Sequence, residues 1–225
     1  MQLTVRDVAE MFRVGENVVY RWVSEEDMPA EQVNGQYRFN RTELLEWATV
    51  RRKEMSPRLF RNGTAPARLD EALELGGIHY HVGGRDRESV LRAVVERLPV
   101  PAEVGADYLL EILLSRESVG ATAIGDGLAL PHPRYPVVLP VPKPFIGLCF
   151  LDQPITYGKE PVHTLFCLVC PTVHVHLGLL ARLGHALRDA EFRALVRQQA
   201  PAETILKDAR RVEGLLEVSG SVAGK

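Results

Sequence analysis

Sulfhydryls are scarce. Three cysteines among 225 residues cannot build the multi-bridge framework of a small secreted domain, and so few thiols fit a reducing compartment such as the cytoplasm. No apolar run approaches the ~20 residues that a bilayer-spanning helix needs. The opening residues, Met1-Gln2-Leu3-Thr4-Val5-Arg6-Asp7, lack the basic-then-apolar order of a secretory leader. Neither charge sign dominates: 27 basic and 29 acidic side chains leave a formal net of −2, which excludes a global pull toward nucleic acid or anionic membranes. Gly-x-x-x-x-Gly-Lys-Ser/Thr does not occur, so a backbone cradle for ATP phosphates is not encoded. What remains, 46% hydrophobic and 25% charged, is the composition of a globular chain long enough for one large core or two modest ones.

The chain divides by pattern. In residues 1–50, Thr4 and Asp7 are spaced as a capping box, ahead of Val8, Met11 and Phe12 at helical intervals. Gly15 interrupts, and a second helix is predicted over Glu16–Ser24 with Val18, Val19 and Trp22 as its apolar side. Asn34-Gly35, between Gln32-Val33 and Tyr37-Arg38-Phe39, signals a two-residue hairpin, because both turn positions need φ > 0. Asn40 and Glu43 then cap a third helix bearing Leu44, Leu45 and Trp47. Residues 51–69 read as a linker: the charge run Arg51-Arg52-Lys53-Glu54, then Pro57, Asn62-Gly63 and Pro66, with little periodicity.

Residues 70–217 read as α/β, a mixed sheet flanked by helices. Helices are predicted near 69–75, 87–98 and 106–114, with a long one from Val173. Extended segments are predicted at 78–82, 121–130, 145–151 and 164–169. Residues 218–225 read as a flexible tail.

The most informative stretch runs from Ser115-Arg116-Glu117 through Gly125-Asp126-Gly127 to Leu128-Ala129-Leu130-Pro131-His132. An apolar strand delivers His132 at its tip, and the glycines allow a turn or close backbone approach. Arg116 to His132 resembles the active-site signature of type-2 enzyme IIA domains, the fructose, mannitol and nitrogen-regulatory group of the bacterial phosphotransferase system. The resemblance implies that His132 takes a phosphoryl group from a phosphorylated histidine carrier protein. It also implies that Arg116 lies beside that group and that His174 is the second histidine next to it. The chemistry is coherent. An arginine fork bonds phosphoryl oxygens bidentately, and a histidine in the first turn of a helix capped by Thr172 sits where the dipole favours an anion. No cofactor is expected, and a protein phosphodonor fits the missing ATP loop. One departure stands out: Pro133, followed by Arg134, occupies the place where the family carries glycine, which removes a backbone N–H and fixes φ.

Two other groupings are weaker. Cys167 and Cys170 have Cys-x-x-Cys spacing but lie in an apolar run with no second pair, so they read as core thiols rather than a zinc site. His79 and His81 share a strand face if that strand is regular, but no acidic third ligand accompanies them. No metal is expected.

Residues 3–50 resemble winged helix-turn-helix modules of the excisionase and MerR type, on the strength of Leu3 to Ala9, Val18-Val19-Tyr20-Arg21-Trp22 and Gly35 to Phe39. The resemblance makes Asn17 and Arg21 base-reading candidates, with Arg38 and Arg41 on phosphates. The charge count opposes strong binding: five basic against nine acidic residues in 1–50. DNA affinity depends on neutralising phosphates, so an isolated copy needs a homodimer or help from Arg51 to Lys53. Protein docking and a scaffold role stay open beside DNA. Two readings follow: a regulatory phosphocarrier centred on His132, or a transcription regulator whose enzyme IIA-like domain is a non-phosphorylated sensor or dimerisation unit.

Overall fold

Thr4 and Asp7 close the capping box their spacing predicts. The Asp7 amide donates to Thr4 Oγ1 at 3.2 Å, and the Thr4 amide donates to Asp7 Oδ2 at 2.8 Å. In this computed structural model, which describes residues 2–33, 35–40, 43, 44, 47, 48, 51, 53, 67–133 and 139–222, that box starts α1 (Val5–Phe12). Arg13 ends it in the left-handed region at φ 55°. α2 (Glu16–Glu25) follows. Residues 43, 44, 47 and 48 are helical, where the third helix is predicted.

A three-stranded antiparallel sheet accompanies these helices, built from β1 (Gln2–Leu3), β2 (Glu31–Val33) and β3 (Gln36–Asn40) in the order β1-β3-β2. Val33 pairs with Gln36, as the predicted hairpin requires, and Gly35 stands at φ 76° between them; Asn34 lies outside the described residues. β1 is only two residues long, and its pairing carries no sequence signal. Phe12, Trp22 and Trp47 form the aromatic centre, with ring centroids 5.5 to 6.2 Å apart. The Trp47 indole N–H donates to the Glu26 carbonyl at 3.0 Å. Residues 54–66, most of the expected linker, lie outside the described residues.

The larger sheet has five strands: β4 (Ile78–Val82), β5 (Ala123–Gly125), β6 (Leu128–Ala129), β7 (Phe145–Tyr157) and β8 (Glu160–Val169). Their order is β4-β7-β8-β6-β5. β4 with β7 and β6 with β8 run parallel, and the other pairs are antiparallel. The mixed sheet is therefore as expected.

Period-two alternation covers both faces. Ile146, Leu148, Phe150, Phe166 and Leu168 join one apolar cluster with α3 (Leu69–Gly76), α6 (Val173–Ala186), α7 (Ala190–Arg197) and α8 (Ala202–Val222). Phe145, Cys149, Leu151, Leu165, Cys167 and Val169 join another with α4 (Arg87–Val95) and α5 (Ala106–Val119). Gly76 allows α3 to lie directly on β7: a Cβ there would fall 2.3 Å from the Ile146 carbonyl.

Three local departures matter. The predicted single extension over 121–130 is a hairpin, β5 to β6, turning at Asp126-Gly127 with φ of 53° and 72°. α5 runs on to Val119, so Arg116 and Glu117 are helical. β7 passes Pro154 through a register shift between Phe150 and Ile155, then turns into β8 at Gly158. A bulge is where a strand tolerates proline, which has no N–H to give.

The core of residues 3–48 also takes in part of α6. Ala181 is buried within it, and Leu177 packs against it. One helix therefore belongs to both hydrophobic units.

Candidate functional site

β6 and β8 run parallel side by side, so their carboxyl ends emerge at one edge of the sheet, where ligand sites in α/β folds gather. The segment after β6 is held there twice: the Leu130 amide donates to the Thr122 carbonyl at 3.0 Å, and the Leu168 amide of β8 donates to the Pro131 carbonyl at 3.0 Å. His132 follows directly. Its Nδ1 lies 2.6 Å from the Leu130 carbonyl oxygen. A carbonyl only accepts, so Nδ1 carries the proton in the neutral ring, and the lone pair available for bonding to phosphorus sits on Nε2.

The ring is only 3% exposed. This differs from the exposed tip implied by the sequence. Tethering of Pro131 to β8 and of the ring to its own Leu130 carbonyl turns the imidazole inward, against α6.

The second histidine is displaced by two positions. α6 begins soon after β8, with Thr172 as its N-cap accepting from the Val175 amide at 3.2 Å. His176, buried at 9% exposure, brings its ring centroid to 5.1 Å from that of His132 with the planes inclined at 40°. His174 is exposed. Residues two apart on a helix point about 200° from one another, so only one of the pair can face His132. The family resemblance implies His174 at this place; the structure brings His176.

Arg116 is half-buried near the end of α5, and its guanidinium donates to the Gly120 carbonyl at 2.9 Å. It thus grips the loop that leads into Thr122, the residue paired with Leu130. Glu117, not singled out from sequence, is buried at 2% and accepts from the Thr122 amide at 3.1 Å and from the Thr122 hydroxyl. Beside it the buried Tyr157 phenol is pushed well up, first by burial and then by the Glu117 charge. Arg87 donates to the Glu117 carbonyl at 3.2 Å. These contacts fix the loop that positions His132. A lone glutamate after an arginine gave no sequence signal for this. Arg134 lies outside the described residues.

On the N-terminal module, Asn17, Tyr20 and Arg21 are exposed along α2. Arg38 is partly engaged, donating to the Tyr37 carbonyl at 3.1 Å and to Gln36 Oε1 at 2.8 Å. Arg41 lies outside the described residues. Lys53, expected to assist DNA contact, is instead turned onto the module: its Nζ is 2.6 Å from Glu26 Oε2 and 4.9 Å from the Trp22 ring centroid.

The weaker groupings resolve simply. Cys149, Cys167 and Cys170 are buried, and burial raises all three thiols, Cys149 to about 12. Such thiols are poor nucleophiles and poor metal ligands. His81 adopts φ 54° in an irregular stretch of β4, which breaks the shared face expected for His79 and His81. His79 turns to the Gly76 carbonyl and His81 to Asp152. Among the described residues, no three His, Cys, Asp or Glu side chains are grouped to hold a metal ion. No helix among them is long and apolar enough to cross a membrane.

A mixed sheet covered by helices, with two histidines meeting at its edge, makes this an α/β protein with a histidine site at the sheet edge. Residues 72–208 match the phosphoenolpyruvate-dependent sugar phosphotransferase system EIIA 2 family, and the chain belongs to that family. Residues 3–52 match the helix-turn-helix domain family. Relatives include a nitrogen regulatory protein of Pseudomonas aeruginosa, 31% identical over 147 residues that cover 61% of this chain and 92% of that protein. A second, from Bradyrhizobium diazoefficiens, is 35% identical over 43% of this chain and 65% of its own length. The crystal structure of nitrogen regulatory protein IIA-Ntr from Neisseria meningitidis shares the fold, with a TM-score of 0.55 at 21% identity over 63% of this chain and 98% of that one.

Proposed function

We propose that this chain is a regulatory, cytoplasmic enzyme IIA-like protein that accepts a phosphoryl group on His132 from a phosphorylated histidine carrier protein, linked to DNA binding through its helix-turn-helix. The supporting observation is the Nδ1 contact with the Leu130 carbonyl, which leaves Nε2 as the nucleophile. In the transfer the Nε2 lone pair forms a bond to phosphorus, the donor's N–P bond breaks, and its electron pair returns to the donor imidazole. The Nδ1 proton stays on His132, where Leu130 holds it, so no general base is required.

Positioning and charge stabilisation carry such reactions. The His176 ring lies beside His132, and in this reading Arg116, at the end of α5, is the cation for the phosphoryl oxygens. Because the ring is 3% exposed, the donor reaches Nε2 only after local opening around His132. The proline after it makes that opening stiffer than glycine would.

The test uses labelled phosphoenolpyruvate with enzyme I and the histidine carrier protein. Label should enter the peptide containing His132 in the wild type and be absent from His132→Ala. Equal labelling of both would overturn the proposal. The burial of His132 favours one other reading, a transcription regulator whose enzyme IIA-like domain is never phosphorylated. Specific DNA binding by a wild-type chain that takes no label would establish it.

A further inference from the structure

We infer that α6 is the lever through which phosphorylation at His132 reaches the helix-turn-helix, an inference that rests on the phosphoryl-acceptor reading above. The residues lie in order along one helix. His176 stacks near His132. Leu177, the next residue, packs against the N-terminal core, and Ala181, one turn further on, is buried within it at 1% exposure. Positions four apart fall on one stripe, so these two form a single contact face for the module.

Beyond them the helix is fixed. Arg182 makes a buried ion pair with Glu213 of α8, and Glu213 also accepts from the Leu69 amide at 2.7 Å. Just past the helix, Arg188 donates to the Lys53 carbonyl at 2.7 Å. Lys53 in turn caps the Trp22 and Trp47 rings from 4.9 and 5.7 Å.

A phosphoryl group on His132 puts a dianion beside His176 in the first turns of α6, and the positive dipole end of that helix is drawn toward it. A packed helix answers such a pull by moving as a body, because protein interiors compress little. The buried Arg182–Glu213 pair holds the far end. The face that must give is therefore the Leu177–Ala181 stripe, and the two states are the module seated or unseated on it. By linkage, whatever the module binds in one state biases phosphorylation in return.

The chain carries its own reporters. Its two tryptophans, Trp22 and Trp47, are both in the affected core, at 6% and 8% exposure. The experiment follows tryptophan emission of the full chain during phosphorylation by phosphoenolpyruvate, enzyme I and the carrier protein, with stoichiometry read by intact mass. The expected result is a red shift in the wild type and none in His132→Ala. Leu177→Ala should take up phosphate fully yet lose most of the shift, while the volume-conserving Leu177→Met retains it. Unchanged emission in a chain shown by mass to be phosphorylated overturns the inference and leaves the acceptor reading standing. An undiminished shift in Leu177→Ala overturns it as well, since the indoles would then respond by another route. Absence of any mass increase in the wild type removes the acceptor reading and this inference with it.

Discussion

Two histidines two residues apart on α6 have different fates, and their contrast is the sharpest residue-scale consequence of the structure. His176 faces His132 at 5.1 Å between ring centroids, while His174 points to solvent. If the neighbouring ring orients His132 and meets the charge of the incoming group, His176→Ala should slow phosphoryl uptake by roughly 10²-fold, the scale on which lost positioning acts. His174→Ala should stay within about twofold, as exposed substitutions away from a site do. Rates from the labelling assay check both. A large loss in His174→Ala with none in His176→Ala would reverse the assignment. The sequence motif pointed to His132 because strand, proline and histidine are contiguous. It could not choose between His174 and His176, because that choice depends on helix phase relative to a strand more than forty residues away.

At the scale of elements, α6 is pinned by a charge pair the sequence did not announce. Arg182 and Glu213 have side chains only 5% and 1% exposed and bond directly. Burial pushes the Glu213 carboxyl up, against the pull of Arg182 downward. Removing one partner leaves the other charge buried and uncompensated. Arg182→Met should therefore cost about 3–5 kcal/mol, read as a lower denaturation midpoint at constant m-value. Adding Glu213→Gln removes the stranded charge while its amide oxygen still accepts from Leu69, so the double variant should recover much of the loss. Equal instability in the single and double variants would contradict this account.

The same scale shows what was legible. Contiguous signals are legible: the Thr4–Asp7 box, the hairpin that pairs Val33 with Gln36 and the apolar runs at 145–151 and 164–169 are local patterns with local causes, although β7 runs on to Tyr157 and β8 starts at Glu160. The β5–β6 hairpin was missed because apolar residues run through both strands, leaving only Asp126-Gly127 to mark the reversal. The extension of α5 to Val119 was missed because Ser115 and Ser118 look like helix breakers. In the folded chain Ser118 Oγ satisfies itself on the Ser115 carbonyl at 2.7 Å.

Over the whole molecule, charge limits what the N-terminal module can do. The chain's formal net of −2 conceals an N-terminal segment with nine acidic and five basic residues. The structure narrows the cationic side further, because Lys53 is occupied by Glu26 and the two indoles. With the flanking Arg51 and Arg52 set aside, Arg21, Arg38 and Arg41 are the module's own cationic candidates for phosphate or base contact, beside the neutral Asn17. Three phosphates neutralised per copy give a salt slope near −2.7, so affinity should fall only about 40-fold from ~50 to ~200 mM salt, against 10³–10⁵ for proteins with six to ten contacts. Arg21→Ala should flatten that slope by roughly one unit if the residue meets phosphate. If it reads a base edge instead, it should relax sequence preference at a cost of about 1–3 kcal/mol. A homodimer would double the slope without changing the per-copy count, and sedimentation at the same salt separates the two cases. Absence of binding to genomic fragments at ~50 mM salt, with the full chain folded, would remove DNA from the proposal and leave protein docking or a scaffold role for the module.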